Sequence, residues 1–201
     1  MRKLILQMQT SLDMFICDQT GSTEGFVWNW EPDWKWDGQL QAEFIGLKQS
    51  IDCVLLSRKM AAEGFIDYWH SIAIDQANPA SQFARAIDAA NKVVFSKTAQ
   101  VSAWPNTVFA TAGLAETIHD LKRQAGKHII AYGGAGFASA LLGADLIDEL
   151  ILYVNPIAFG SGTSLFESAA GKNRFELMDA RAYPCGMAVL KYKRPAAGMA
   201  D

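Results

Sequence analysis

HIIAYGGAGFASALLGADLIDELILYV, from His128 to Val154, reads as strand, glycine turn, short helix and strand in one compact run. His128–Tyr132 is a short apolar strand, Phe137–Leu142 a helical segment, and Leu146–Val154 a long strand of branched and aromatic residues. Gly133, Gly134 and Gly136 stand at the first junction, where two roles are open to them. N–H groups at a helix start lack partners and the helix dipole favours an anion, so glycines there let the main chain approach a phosphate. The other role is a tight strand-to-helix turn that needs positive φ. Gly134-Ala-Gly136-Phe-Ala-Ser139 also approaches the dinucleotide fingerprint G-x-G-x-x-G, but the third glycine is missing. The acidic pair Asp148-Glu149 precedes the next strand instead of ending it, which argues against a Rossmann unit.

Working outward, strands alternate with helices. Lys3–Met8 and Ile51–Leu56 (IDCVLL) read as strands, with a helix from about Leu40 to Gln49 between them. Lys92–Phe95 and Thr107–Ala110 follow as strands. Pro79–Ala90 carries Phe83, Ile87 and Ala90 at helical spacing with proline in its first turn. Leu114–Gln124 is a further helix, with Gly126 expected as its C-cap. Phe175–Ala182 and Met187–Lys193 alternate around Tyr183-Pro184-Cys185-Gly186, the pattern of an antiparallel hairpin with one exposed face. The expected fold is therefore α/β, a mixed, mostly parallel sheet finished by a C-terminal hairpin. A single domain over residues 1–194 and a short tail at 195–201 are expected.

Composition narrows the function classes. The 201 residues suit one domain of the usual size, on the order of 100–200 residues. Half are hydrophobic and 19% charged, a globular balance. Eighteen basic against 21 acidic residues leave a formal charge of -3, so no surface for a nucleic-acid backbone is implied. No apolar run reaches the length of a signal peptide or membrane span. Three scattered cysteines without a Cys-x-x-Cys pair and three unpaired histidines argue against a disulfide framework and a metal site, and a cytoplasmic location is expected.

Several motifs now align in order. Tyr132-Gly133-Gly134-Ala135-Gly136, Leu141-Leu142, Leu146-Ile147-Asp148-Glu149-Leu150, Asn155-Pro156-Ile157 and Gly160-Ser161-Gly162 with Leu165-Phe166 together resemble the carboxyl half of the dihydrofolate-reductase-like family. The nearest resemblance is to the C-terminal reductase domain of bifunctional riboflavin-biosynthesis deaminase-reductases and its stand-alone homologues. Ser11-Leu12-Asp13, Leu55-Leu56-Ser57-Arg58-Lys59 and Val94-Phe95-Ser96-Lys97-Thr98 fall where that family has its nucleotide-binding turns.

The resemblance implies a three-layer αβα fold with about eight strands, and NADPH as cofactor. Gly133, Gly134, Ala135, Gly136 and Phe137 would cradle the pyrophosphate. Ser57, Arg58 and Lys59 would meet phosphate, and Ser96, Lys97 and Thr98 the adenosine end, where cation and hydroxyls suit a 2′-phosphate. A homodimer is implied by the same analogy. The chain departs from the family at Met14 and Ser57, where glycine is usual, and at Met60, where threonine is usual.

Two features concern the substrate. Asp13, on the family's Ser-x-Asp motif, is the leading group for substrate orientation; Glu31, Asp33, Asp37 and Glu43 are alternatives, Asp37 doubling as a helix cap and Glu43 as a solvent-facing residue. GFVWNWEPDWKWDG sets Trp28, Trp30, Trp34 and Trp36 in one loop. They would form a lid or pocket wall against a flat heteroaromatic substrate, or pin the loop to the core or a second subunit. The function implied is an NADPH-dependent reductase of a small, flat, pterin- or pyrimidine-like substrate. A noncatalytic ligand-binding protein that keeps the fold is the alternative.

Overall fold

The computed structural model describes residues 1–27, 36–78, 80–97, 102–166 and 173–195. Among them the strands are β1 (Leu4–Thr10), β2 (Phe15–Asp18), β3 (Ile51–Ser57), β4 (Asn91–Phe95), β5 (Thr107–Ala110), β6 (His128–Tyr132), β7 (Glu149–Val154), β8 (Gly162–Ser164), β9 (Glu176–Ala182) and β10 (Ala188–Lys193). The helices are α1 (Gly38–Gln49), α2 (Arg58–Ala62), α3 (Phe65–Ile74), α4 (Ser81–Ala89), α5 (Leu114–Arg123) and α6 (Ala135–Gly143). The chain builds two compact units, Met1–Leu4 with Gly38–Gly134 and Ile5–Asp37 with Ala135–Asp201. No helix among the described residues is long and apolar enough to cross a membrane.

In the first unit four strands run in the order β5-β4-β3-β6 and every pair is parallel. β3 is central because IDCVLL buries both its faces: Cys53, Val54, Leu55 and Leu56 are all within 1% of complete burial. Burial pushes the Cys53 thiol up to about 11, so it packs as a small apolar side chain. Helices α1, α3 and α4 meet on Phe83, whose ring lies 4.9 Å from Phe44 and 4.6 Å from Trp69. At the start of β3, Arg2 pairs with Asp52 and donates from Nε to the Lys127 carbonyl at 2.6 Å, while Asp52 Oδ2 accepts the Lys127 N–H. Lys92 gives its ammonium to the Asp88 and Ala90 carbonyls at the end of α4, where a cation complements the helix dipole.

In the second unit β1 and β7 are parallel, and β10 pairs antiparallel with both β7 and β9. The β9–β10 turn closes with Gly186 N–H on the Tyr183 carbonyl, and φ of 88° at Gly186 calls for glycine. β2 and β8 form a separate two-stranded ribbon.

The α/β reading with its C-terminal hairpin holds, and the structure adds elements to it. β2 and β8 have four and three residues and pair only with each other. α3 buries Ile66, Trp69 and Ala73 at helical spacing, but apolar residues on its other faces, such as Ile74 at 67% exposure, blur the stripe. The strand expected from Leu146 begins at Glu149, because Leu146 and Ile147 are buried outside the ladder. Gly126 is not the cap of α5; that is Gln124. Gly126 (φ 148°) instead makes room for Asp52 and Arg2, which a Cβ there would strike.

Lys48 continues the α1 stripe Leu40-Phe44-Lys48 and is fully buried. Its Nζ hydrogen-bonds the Tyr132 hydroxyl and lies 4.3 Å from the Phe44 ring centre. Burial pushes the Lys48 ammonium well below the usual lysine range. Above that lowered value the unfolded chain still holds the proton the folded chain has released, so stability rises with pH until the ordinary lysine value is reached. Lys48→Met is therefore expected to raise Tm at pH 7, by about 2–4 °C for each kcal/mol relieved, with the gain shrinking towards pH 10.5. Thermal melts at both pH values check this; a pH-independent difference contradicts it.

Candidate functional site

Parallel pairing brings three of the sequence motifs of the first unit to one edge. Ser57 is level with Phe95 across β3–β4, and Leu56 with Tyr132 across β3–β6. The next residues out are the turns carrying Arg58-Lys59, Ser96-Lys97 and Gly133-Gly134. Ser57 has ordinary extended backbone (φ −68°, ψ 150°) and caps α2 by accepting the Met60 N–H at 3.2 Å. Serine therefore replaces the family glycine without strain and keeps its hydroxyl proton for another acceptor. Arg58 and Lys59 are exposed, Lys59 standing 3.6 Å from Glu63 in a surface pair of little energetic weight. Ser96 gives its N–H to Ala110, Lys97 is exposed, and Thr98 lies outside the described residues.

The glycine turn answers one half of the question raised by the sequence. Neither Gly133, Gly134 nor Gly136 is among the residues with positive φ, so a left-handed turn is not what they serve. A Cβ built on Gly134 or Gly136 would meet nothing within 4 Å. Open space lies over the turn at the N-terminal end of α6, within which Ala135 and Phe137 are half-buried. Such a surface lets a ligand reach the backbone N–H groups. These residues fit a dinucleotide phosphate: open backbone donors, exposed cations and hydroxyls on neighbouring strand ends.

In the second unit Asp13 follows β1. Its carboxylate accepts the Ser11 hydroxyl at 2.5 Å, the Phe159 N–H at 3.2 Å and the Gly160 N–H at 2.7 Å. The Ser11 hydrogen bond does most to hold Asp13 below the usual carboxylate range; desolvation opposes it, and the Gly160 and Phe159 N–H groups add to it. Asp13 is thus an ionised, oriented acceptor at neutral pH, suited to holding a donor and not to giving up a proton. Met14 adopts φ 63°, the left-handed backbone natural to the glycine usual in the family.

Of the four tryptophans, Trp36 is 3% exposed and stacks on Tyr153 of β7, centroids 5.5 Å apart and planes 4° from parallel. It packs into the core of its unit. Trp28, Trp30, Trp34, Glu31 and Asp33 lie outside the described residues. Asp37 directly precedes α1. Glu43, expected to face solvent, is half-buried with one carboxylate oxygen enclosed. Asn155, in the sequence one residue of the Asn155-Pro156-Ile157 motif, is completely buried, and its amide bonds to the Val27 N–H, Gln9 and Thr10.

Comparison with known proteins places this geometry among relatives. The family model described as the RibD C-terminal domain matches residues 2–189. The uncharacterized protein YyaP of Bacillus subtilis (strain 168) is 25% identical over 95% of this chain and 94% of its own length. A protein attributed to riboflavin biosynthesis in Shewanella sp. PV-4 superposes with a TM-score of 0.71 at 20% identity, covering 96% of this chain and 99% of that one. The diaminohydroxyphosphoribosylaminopyrimidine deaminase/5-amino-6-(5-phosphoribosylamino)uracil reductase of Thermotoga maritima gives 0.67 at 14% identity, covering 96% of this chain and 57% of that one.

The left-handed backbone at Met14 reverses the usual order of small residues. Met14→Ala keeps the strain and loses the side chain, whereas Met14→Gly loses the side chain and relieves the strain. The glycine variant is expected to be more stable than the alanine variant by about 1 kcal/mol, measured by urea unfolding.

Proposed function

Because this chain belongs to the RibD C-terminal domain family, a family of reductases, we propose that it is an NADPH-dependent reductase of a small, flat heterocycle of the pyrimidine or pterin type. The observation that carries this reading is the open glycine turn: Gly134 and Gly136 have free space where a side chain would stand and no positive φ to explain them. The Thermotoga maritima protein, named a 5-amino-6-(5-phosphoribosylamino)uracil reductase, supports a substrate that carries a pyrimidine ring.

NADPH, when bound, supplies the hydride. In this reading Gly133, Gly134, Ala135, Gly136 and Phe137 receive the pyrophosphate on backbone N–H groups and the N-terminal end of α6. Ser57, Arg58 and Lys59 supply donors to phosphate, and Ser96, Lys97 and Thr98 meet the adenosine end. Asp13 orients a donor group of the substrate through its ionised carboxylate. A homodimer is part of the proposal, with light scattering at micromolar concentration as its check. The departures at Met14, Ser57 and Met60 are what favours the alternative of a noncatalytic binding protein; Ser57 keeps an unstrained capped turn and Met14 the left-handed backbone, which leaves the missing hydroxyl at Met60.

The glycine turn serves NADH and NADPH alike, since both carry the pyrophosphate, so preference falls to Lys97. A charge-assisted contact to the 2′-phosphate contributes about 1.5–3 kcal/mol, or roughly one to two decades of affinity. Lys97→Ala is expected to weaken NADPH by that factor and NADH little, while Gly134→Val weakens both. Calorimetry at fixed salt checks the pair, and NADPH oxidation over a panel of pyrimidines and pterins checks turnover. Absence of binding by either cofactor removes the proposal.

A further inference from the structure

The side-chain amide of Asn155 is hydrogen-bonded through both its oxygen and its nitrogen. It is completely buried at the end of β7. Its Oδ1 accepts the Val27 N–H at 2.8 Å, and its Nδ2 donates to Gln9 Oε1 at 3.0 Å and to the Thr10 carbonyl at 3.2 Å. One amide thus ties together the end of β1, the end of β7 and the backbone at Val27. No other side chain of this size offers a donor and an acceptor side by side: aspartate lacks the donor, leucine lacks both.

The chain leaving Asn155 is the same one that holds Asp13. The Ile157 carbonyl accepts the Leu12 N–H at 2.7 Å, and Phe159 and Gly160 give their N–H groups to the Asp13 carboxylate. On its other side this loop carries residues 25–27. The Phe159 ring stacks on Phe26 with centroids 5.4 Å apart, and Gly25 (φ 89°) closes on Ile157 so tightly that a Cβ would strike it. Residues 155–160 are therefore gripped from two sides, by the Asp13 turn and by the Gly25–Val27 backbone, with Asn155 at their root.

We propose that Asn155 is a positioning residue: through the 155–160 loop its buried amide sets the direction of the exposed Asp13 carboxylate, and so governs how substrate is held without touching it. Three protein donors already fill three of the roughly four acceptor positions of that carboxylate, which leaves about one for a ligand. Its direction depends on where Phe159 and Gly160 stand. The claim about substrate rests on the reductase reading; the claim about coupling between Asn155 and Asp13 does not.

The first measurement uses the protein without any ligand. In Asn155→Leu, which keeps the number and branching of the side-chain heavy atoms and removes the amide's hydrogen bonds, amide hydrogen exchange at Val27, Phe159 and Gly160 is expected to accelerate about tenfold or more, while Val54 and Leu55 of β3 keep their protection. Should Asn155→Leu fail to fold, Asp13→Ala, an exposed substitution, gives the reciprocal test: Val27 is expected to exchange faster along with Phe159 and Gly160. Wild-type protection at Phe159 and Gly160 in Asn155→Leu, or at Val27 in Asp13→Ala, overturns the coupling. The second measurement is kinetic, with NADPH and whichever pyrimidine or pterin the wild type reduces. Asn155→Leu and Asp13→Asn are each expected to raise KM about tenfold with NADPH affinity unchanged, and the double variant to be no worse than the poorer single one. Multiplying losses, or a fall in kcat alone, overturn the positioning role. A wild type that oxidises no NADPH removes the reductase reading and leaves the exchange experiment to decide the coupling.

Discussion

Parallel pairing of β3 with β4 on one side and β6 on the other is the constraint on which the first unit depends. Parallel strands all leave the sheet at the same edge, so every connection that follows them starts from one line. The apolar run IDCVLL makes this arrangement possible, because a strand buried on both faces needs covering layers and leaves only its ends for chemistry. Ser57, Ser96 and Gly133 therefore emerge as neighbours although they lie 39 and 37 positions apart in the chain. The serine cap, the exposed Lys97 and the open glycine turn are polar or small because the core does not require them to be otherwise.

The second unit applies the same rule with different chemistry. β1 and β7 are parallel, and their ends release the Asp13 turn and the Asn155 loop together. Here the two loops satisfy each other: backbone N–H groups of one are taken up by a carboxylate of the other, and a buried amide closes the base. An exposed carboxylate held by three donors remains ionised and oriented, which is what recognition of a substrate donor asks for.

Lys48 and Asp13 show why a displaced pKa does not by itself mark a site. Burial alone displaces Lys48, whose amine rests between aromatic rings and a phenol deep in the helical layer. Hydrogen bonds displace Asp13, whose carboxylate stays at the surface, where a ligand can reach it. The first is a cost carried by the core, and the second is the charge that the proposed substrate contact would use. The departures at Met14 and Ser57 divide in the same physical way: Ser57 needs no glycine because its φ is ordinary, whereas Met14 keeps a left-handed turn at the expense of strain.

How much of this was legible in the sequence follows from the range of each interaction. Strand and helix periodicity, the glycine cluster after HIIAY and the hairpin around Tyr183–Gly186 are local signals, and their elements lie within a few residues of where the pattern puts them. β2 and β8 are decided outside the local pattern, since each pairs only with the other, far along the chain. That Trp36 stacks on Tyr153, that Gly126 makes room for Asp52, and that Asn155 binds Val27 at a separation of 128 residues are decisions of tertiary structure. The sequence determined the α/β class and the residues available at each strand end. Only the fold decided which of them meet, because parallel register and buried hydrogen bonding act between segments that the chain itself keeps far apart.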